Sequence, residues 1–382
     1  MDLETTGLDP WKRQVPDRLC GIAISDGTDH FYMPFRHANK KKNLPMEALR
    51  ELGTLLSDPD RVFVGFNYKF DLKFLFVEGI GLPKTIRDPY LAAHLCNENE
   101  PLLGLKPLSD KYLGNKASKE QRALKLLLRE RGLGIADMWR LEPEQVAPYA
   151  CDDVRLTLEL RDFYLPHLEK QGLLELWEEV SAYELIVAGM EIDGIRLNAE
   201  TLRHNAMKSQ KHHLAKMMEI RDVAGYTLNP NSSKQVCNWL EIDSSKKAIL
   251  EILHNKGDER ATLILQARCW RTADSRYYQP LLRLIDGDGL GHPSFKMCGT
   301  YTGRMSSGDP FNWQSFANPR EKGYAAGIYD PIKDAIEADE DEVMVEADYS
   351  QAEIKVACHY GQETRMGDLV NSGEDIHGAT KD

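Results

Sequence analysis

The sequence predicts an α/β domain over residues 1–165, a mostly helical region over 166–290, and a partial α+β region over 291–382. Three observations carry this. Strand-like and helix-like segments alternate up to about residue 165. Long segments with apolar residues at helical spacing follow Pro166. Strand and loop segments return from about Gly291. At 382 residues the chain can hold two or three domains with full cores.

The chain opens on Met1-Asp2-Leu3-Glu4, read as a strand, with Thr5-Thr6-Gly7 as its end and a turn. Leu19–Ser25 and His30–Phe35 read as a hairpin around Asp26-Gly27. Met46, Leu49, Leu52 and Leu56 give Pro45–Leu56 a helical stripe, with Pro45 suited to its first turn. Val62–Phe66 reads as a short strand and Phe70–Glu78 as a helix. Ser118-Lys119-Glu120-Gln121 reads as a capping box opening a helix that stops near Gly132. Another helix is predicted to start near Pro148. A mixed sheet flanked by helices is the expected architecture.

In the second region, Leu173, Leu176, Trp177, Val180, Tyr183 and Val187 mark one helical face. Gly189–Leu197 reads as a break with short strand character, and Thr201–Val223 as a helix. Lys208, Lys211 and His212 share a face of that helix, which fits a solvated surface as well as a DNA backbone contact. Ser232-Ser233-Lys234-Gln235 is a second capping box. Residues 246–283 are the most consistently basic stretch, with Arg268 and Arg271 expected to meet phosphates.

Composition is that of a globular protein. No apolar run reaches membrane-spanning length, and the acidic first residues exclude a secretory signal peptide. Seven cysteines without a C-x-x-C pattern argue for reduced thiols in a cytoplasmic setting and against a zinc site. The net charge of -12 argues mildly against nucleic-acid binding, but the distribution of charge matters more than its total.

Two constellations carry chemistry. Asp2 and Glu4 alternate along a strand, so both carboxylates face one side. Asp71 sits at a strand-to-helix junction, in Asn67-Tyr68-Lys69-Phe70-Asp71. Tyr149 and Asp153 are four apart on a helix and share a face. Hard oxygen ligands of this kind suit Mg²⁺ or Mn²⁺. Four carboxylates can serve two divalent cations about 4 Å apart, which drive in-line phosphodiester hydrolysis.

In this order and context, these residues resemble the DEDDy 3′→5′ exonucleases, which have an RNase H-like fold. Asp88–Asn97 and Leu103–Gly114 extend the resemblance to the proofreading domain of A-family DNA polymerases. The resemblance implies that Asp2, Glu4 and Asp153 hold a first metal, with Asp2 bridging to a second. Asp71 reaches that second metal through water, and Tyr149 positions the attacking water. One departure is that an apolar strand precedes the first acid in that family, whereas Met1 directly precedes Asp2 here. The first two ligands are therefore expected to be poorly held.

The second constellation runs from His292-Pro293-Ser294-Phe295 through Thr302-Gly303-Arg304-Met305-Ser306-Ser307 and Asp309–Gln314 to Val345-Glu346-Ala347-Asp348-Tyr349-Ser350-Gln351-Ala352-Glu353. Asp348 is expected at the end of an apolar strand, with Glu353 on the helix after it. These segments resemble the palm of A-family, DNA polymerase I-like enzymes. Gly189–Leu197 and Leu228–Gln235 resemble the start of the polymerase region and its thumb.

By this resemblance Asp348 binds the polymerase metals, and Glu353 crowds the sugar 2′ position to exclude ribonucleotides. Arg304 and Gln314 contact the minor groove near the primer end, and His377 approaches the triphosphate. Ala352 and Lys355 depart from the commoner Ile and Arg. The family's fingers helix and its later palm motif, with the second aspartate, are not in the sequence.

The expectation is thus a DNA polymerase with a proofreading exonuclease, acting in replication or repair as an N-terminal fragment or a split subunit. Its partners are primer-template DNA, single-stranded 3′ ends, deoxynucleoside triphosphates and a complementary polymerase polypeptide. Polymerisation by this chain alone is not expected. A stand-alone exonuclease and a non-catalytic DNA-binding subunit are the alternatives.

Overall fold

The structure, a computed structural model, describes residues 1–114, 118–308, 310–317 and 322–373. The chain divides into two compact units, Met1–Glu337 and Ala338–Asp382.

In the first unit, β1 (Asp2–Thr5), β2 (Leu19–Ser25) and β3 (His30–Pro34) form an antiparallel sheet in that order. The hairpin falls where alternation and Asp26-Gly27 placed it. Gly21 lets Tyr32 lie across the sheet, because a Cβ there would meet the phenol oxygen at 2.0 Å. The first strand is not loosely held, contrary to expectation. Met1 is buried and its amine donates to the Val64 carbonyl at 2.7 Å. Leu3 enters the core with Leu19, Ile22, Tyr68 and Leu72, so apolar burial fixes the start of β1.

Helix α1 (Ala48–Leu56) is shorter than predicted, since Pro45–Glu47 form turns before it. Strands β4 (Phe63–Val64) and β5 (Ile86–Arg87) pair in parallel, separately from the main sheet. The expected mixed sheet is therefore two small sheets among the described residues. Helices α2 (Lys69–Val77), α3 (Pro89–Cys96), α4 (Leu105–Tyr112) and α5 (Lys119–Glu130) follow. The capping box at Ser118 does not form, because the Ser118 hydroxyl donates to Asp110 instead. Helix α6 (Pro143–Gln171) begins at a proline in its first turn and runs through Pro148 and Pro166 to Gly172. The predicted start at Pro148 is thus five residues late. Ala150 and Val154 seat α6 on Ala23 of the sheet.

Helix α7 (Leu174–Asp193) extends through the predicted break, and β6 (Ile195–Arg196) follows its terminal Gly194. Helix α8 (Ala199–Ala224) matches its predicted span within two residues and begins at an Asn198 cap. Helices α9 (Ser233–Leu240), α10 (Lys247–Asn255) and α11 (Glu259–Thr272) build a core on Leu228, Val236, Leu250, Ile264 and Leu265. A π-helical turn, Ala273–Tyr278, leads into α12 (Gln279–Leu284). The pairs β6–β7 (Leu290–Gly291) and β8 (Phe295–Lys296)–β9 (Ser306–Ser307) are short antiparallel ribbons.

The second unit contains α13 (Ala352–Gly361) and α14 (Thr364–Ser372). The strand predicted to end at Asp348 is not formed. Val343 and Val345 are each 81% exposed, and residues 342–349 have no regular structure. A strand needs a neighbour for its backbone groups and a surface for its apolar side chains. Among the described residues, nothing pairs with this segment.

Candidate active site

Three elements of the first unit bring the first constellation together. Strand β1 carries Asp2 and Glu4 beneath α6, and α6 supplies Tyr149 and Asp153. The β4–α2 junction supplies Asp71. There the chain turns sharply at Asn67, whose φ of 52° lies in the left-handed region that Asn tolerates. Gly65 makes room for the turn, since a Cβ would meet the Tyr68 ring at 2.2 Å. Asp71 Oδ1 then accepts from the Leu3 amide at 2.8 Å, joining α2 to β1 between the two acids of that strand.

Glu4, Asp71 and Asp153 are 5%, 3% and 6% exposed. So much buried like charge favours protonation. Burial and then the charge of Asp153 push Asp2 up to about 7. Burial, Asp2, Asp153 and Asp71 hold Glu4 well above its ordinary range. Burial and Asp2 raise Asp71, against the opposing Leu3 N–H. Burial raises Asp153, offset by Lys106 and by a hydrogen bond from Tyr149. Tyr149 is itself raised well above its ordinary value, by burial and by Glu4, so its hydroxyl stays protonated and can donate.

Glu4 Oε1 is buried with no hydrogen-bond donor. An acceptor-only oxygen without a partner, among acids that repel one another, fits a divalent cation in charge and in hard-oxygen chemistry. Among the described residues, no three His, Cys, Asp or Glu side chains are drawn into a closed metal shell. The donors therefore match such an ion in kind and stand apart from one another.

Sequence reading missed Lys106. It lies on α4 beside Asp153, within Leu103–Gly114, but the resemblance there assigned it no role. One signal was available: a lysine in the first turn of a helix opposes the helix dipole, which asks for an external reason.

The residues of the second constellation fall in both units. Arg304 and Gln314 are exposed in the first unit, and Gln314 donates to the Met305 carbonyl at 3.3 Å. Asp348 and Glu353 are exposed in the second unit, Glu353 in the first turn of α13. His377 lies outside the described residues.

Arg268, expected from sequence to meet phosphates, is hydrogen-bonded within the protein. Its guanidinium is spent internally, on the carbonyls of Pro230 and Ser245 at 2.7 Å each and on the Ser245 hydroxyl at 3.2 Å. Arg271, one turn on, is exposed. Among the described residues, no helix is long and apolar enough to cross a membrane.

Residues 1–169 match the family model of a 3′-5′ exonuclease, and residues 199–382 match that of DNA polymerase family A. A DNA polymerase I of Borreliella burgdorferi is 27% identical over 100% of this chain and 41% of its own length. One from Chloroflexus aurantiacus is 28% identical over 99% of this chain and 41% of its own. The chain thus spans about two fifths of the length of these relatives. Its fold is similar to the POL domain of Pol1 from M. smegmatis, solved in complex with DNA primer-template and dNTP. The TM-score is 0.74 at 20% identity, covering 94% of this chain and 60% of that one. Residues 1–169 thus match a 3′-5′ exonuclease domain and residues 199–382 a family A DNA polymerase domain, so the chain is similar to the A-family DNA polymerases.

Proposed function

We propose that residues 1–165 form a divalent-metal-dependent 3′→5′ exonuclease acting on DNA, with Asp2, Glu4, Asp71 and Asp153 as metal ligands and Tyr149 as the group that orients the attacking water. The single observation that supports this most is the burial of Glu4, Asp71 and Asp153 with a half-buried Asp2, beside a protonated tyrosine. Held by these carboxylates, Mg²⁺ or Mn²⁺ would supply a lowered pKa for water and charge stabilisation for the leaving 3′ oxygen. The chain's own residues do the positioning. The Leu3 amide fixes one Asp71 oxygen, and the Tyr149 hydroxyl is held at Asp153 by their spacing on α6.

The test is degradation of a 5′-labelled single-stranded oligonucleotide with Mg²⁺ or Mn²⁺. Shortening from the 3′ end is expected. It should fall at least about a hundredfold in Asp71→Ala or Asp153→Ala, each of which removes a charge at the site. Metal-dependent cleavage surviving in the Asp71→Ala/Asp153→Ala double variant would sink the assignment.

For the remainder we infer part of a DNA polymerase that works on primer-template and deoxynucleoside triphosphates when completed by a complementary polymerase polypeptide. Asp348 would bind metal, Glu353 and His377 would meet the nucleotide, and Arg304, Gln314 and Arg271 would contact DNA. The family match over 199–382 supports this reading, as does the fold shared with a polymerase domain.

A further inference from the structure

Nothing in its own helix accounts for Lys106. It stands in the first turn of α4, where the helix dipole disfavours an ammonium. Its side chain is nevertheless only 7% exposed. Its Nζ lies 3.1 Å from Asp152 Oδ2, is paired with Asp153 Oδ1, and sits 5.4 Å from the centroid of the Tyr149 ring. Its charge also reaches Glu4 and, behind that of the Met1 amine, Asp2. The two adjacent acids of α6 thus share one ammonium, while Glu4 Oε1 keeps no hydrogen-bond donor.

We propose that Lys106 is the resident counter-ion of the acid cluster, and that a divalent cation must displace its ammonium from Asp153 in order to bind. This rests on the reading of Asp2, Glu4, Asp71 and Asp153 as metal ligands. An ammonium and a dication repel, and they compete for the same carboxylate oxygen. Without a cation the four acids would drive one another to protonate or to splay apart. Lys106 keeps Asp153 charged and in place, at the expense of metal affinity.

Asp152 gives the displaced ammonium somewhere to go. It adjoins Asp153 on α6, already bonds Lys106, and is 13% exposed. Its other oxygen is taken by Arg155 at 2.6 Å, so Asp152 itself stays anchored while Lys106 moves. Lys106 is therefore a positioning residue. It sets the metal concentration at which the site fills, and it makes no claim on the attacking water.

The experiment is calorimetric titration of the full chain with Mn²⁺ at pH 8.5, which limits competition from protons. Melting in chelator establishes that each variant is folded. Lys106→Met should bind Mn²⁺ on the order of tenfold more tightly than the parent. Asp152→Asn should bind it more weakly, because the ammonium then stays on Asp153. A lysine with a merely structural role would not move the two variants in opposite directions. Lys106→Met equal to or weaker than the parent, with Asp71→Asn abolishing binding, would overturn the proposal and leave the metal-ligand reading intact. Unchanged binding in Asp71→Asn would overturn both. Should Lys106→Met unfold in chelator, Lys106→Gln keeps a donor without the charge and carries the same expectation.

Discussion

Arg268 and Arg271 are three positions apart on α11, and the same side chain serves two purposes. Arg268 holds the carbonyls of Pro230 and Ser245, tying α11 to the segments before α9 and α10. Its loss leaves those carbonyls without a donor, so Arg268→Gln should destabilise the protein by about 1–3 kcal/mol in a denaturant titration. Arg271 is exposed, so Arg271→Gln should leave stability within about 0.5 kcal/mol. It should instead lower the slope of log affinity for duplex DNA against log salt by about one, for unrelated sequences alike. An unchanged slope would leave Arg271 an ordinary surface charge. A charge tally along the sequence counts these two arginines equally, and only the fold separates them.

The acids were legible for a related reason. Asp2 and Glu4 are two apart on a strand, and Tyr149 and Asp153 are four apart on a helix, so a local period alone aligns each pair. The closeness of Lys106 to Asp153 depends on how α4 packs on α6, which no local period encodes.

Among the elements, α7 braces the helix that carries Asp71, although its sequence shows only an apolar helical face. Glu184 accepts from the Lys69 amide at 3.0 Å, at the start of the helix that carries Asp71. It lies close enough to Asp88 to feel its charge, and the Asp88 oxygens accept from the Tyr68 and Tyr90 amides. Burial and the charge of Asp88 hold Glu184 well above the usual carboxylate range, and burial pushes Asp88 up to about 6.

The folded state therefore binds protons here that the unfolded chain has already released. The stability this contributes is complete below pH about 4 and is lost as pH rises through 6 and beyond. Glu184→Gln keeps an acceptor for Lys69 without a charge. Its melting temperature should match the parent at pH 5 and exceed it at pH 8, by more than about 1 kcal/mol in stability. Parallel pH profiles for the two proteins would refute this. The elements that sequence misjudged failed for want of context. Ser118 found a side-chain partner other than its own helix, Pro148 was absorbed into a helix already begun, and Val345 had no neighbouring strand.

For the whole molecule, the net charge of -12 coexists with similarity to a DNA polymerase family, as expected where carboxylates are gathered at metal sites. Nucleotidyl transfer needs carboxylates held in a fixed relation to the primer end. Asp348 sits on an exposed segment without regular structure, so the chain by itself should show no primer extension in a gel assay with Mg²⁺. Extension by the chain alone that disappears in Asp348→Ala would show that this segment orders itself on DNA. The alternation of elements up to residue 165 and the long helices beyond were legible in sequence because each follows a local hydrophobic period. The division into units at 337/338 follows from contacts across the fold, which leave no such trace.

Glu191, near the end of α7, is fully buried and takes Lys69 at 2.6 Å and Lys73 at 3.1 Å, both from the helix of Asp71. The same carboxylate accepts from the Phe295 amide, and Trp11 stacks on His292 at 4.1 Å nearby in sequence. The family match for the exonuclease stops at residue 169, before α7 begins. Anyone transplanting that domain into another scaffold by the matched boundary would remove the carboxylate that both lysines share and uncover the face of α2 that α7 packs on, so the graft must carry α7 with it.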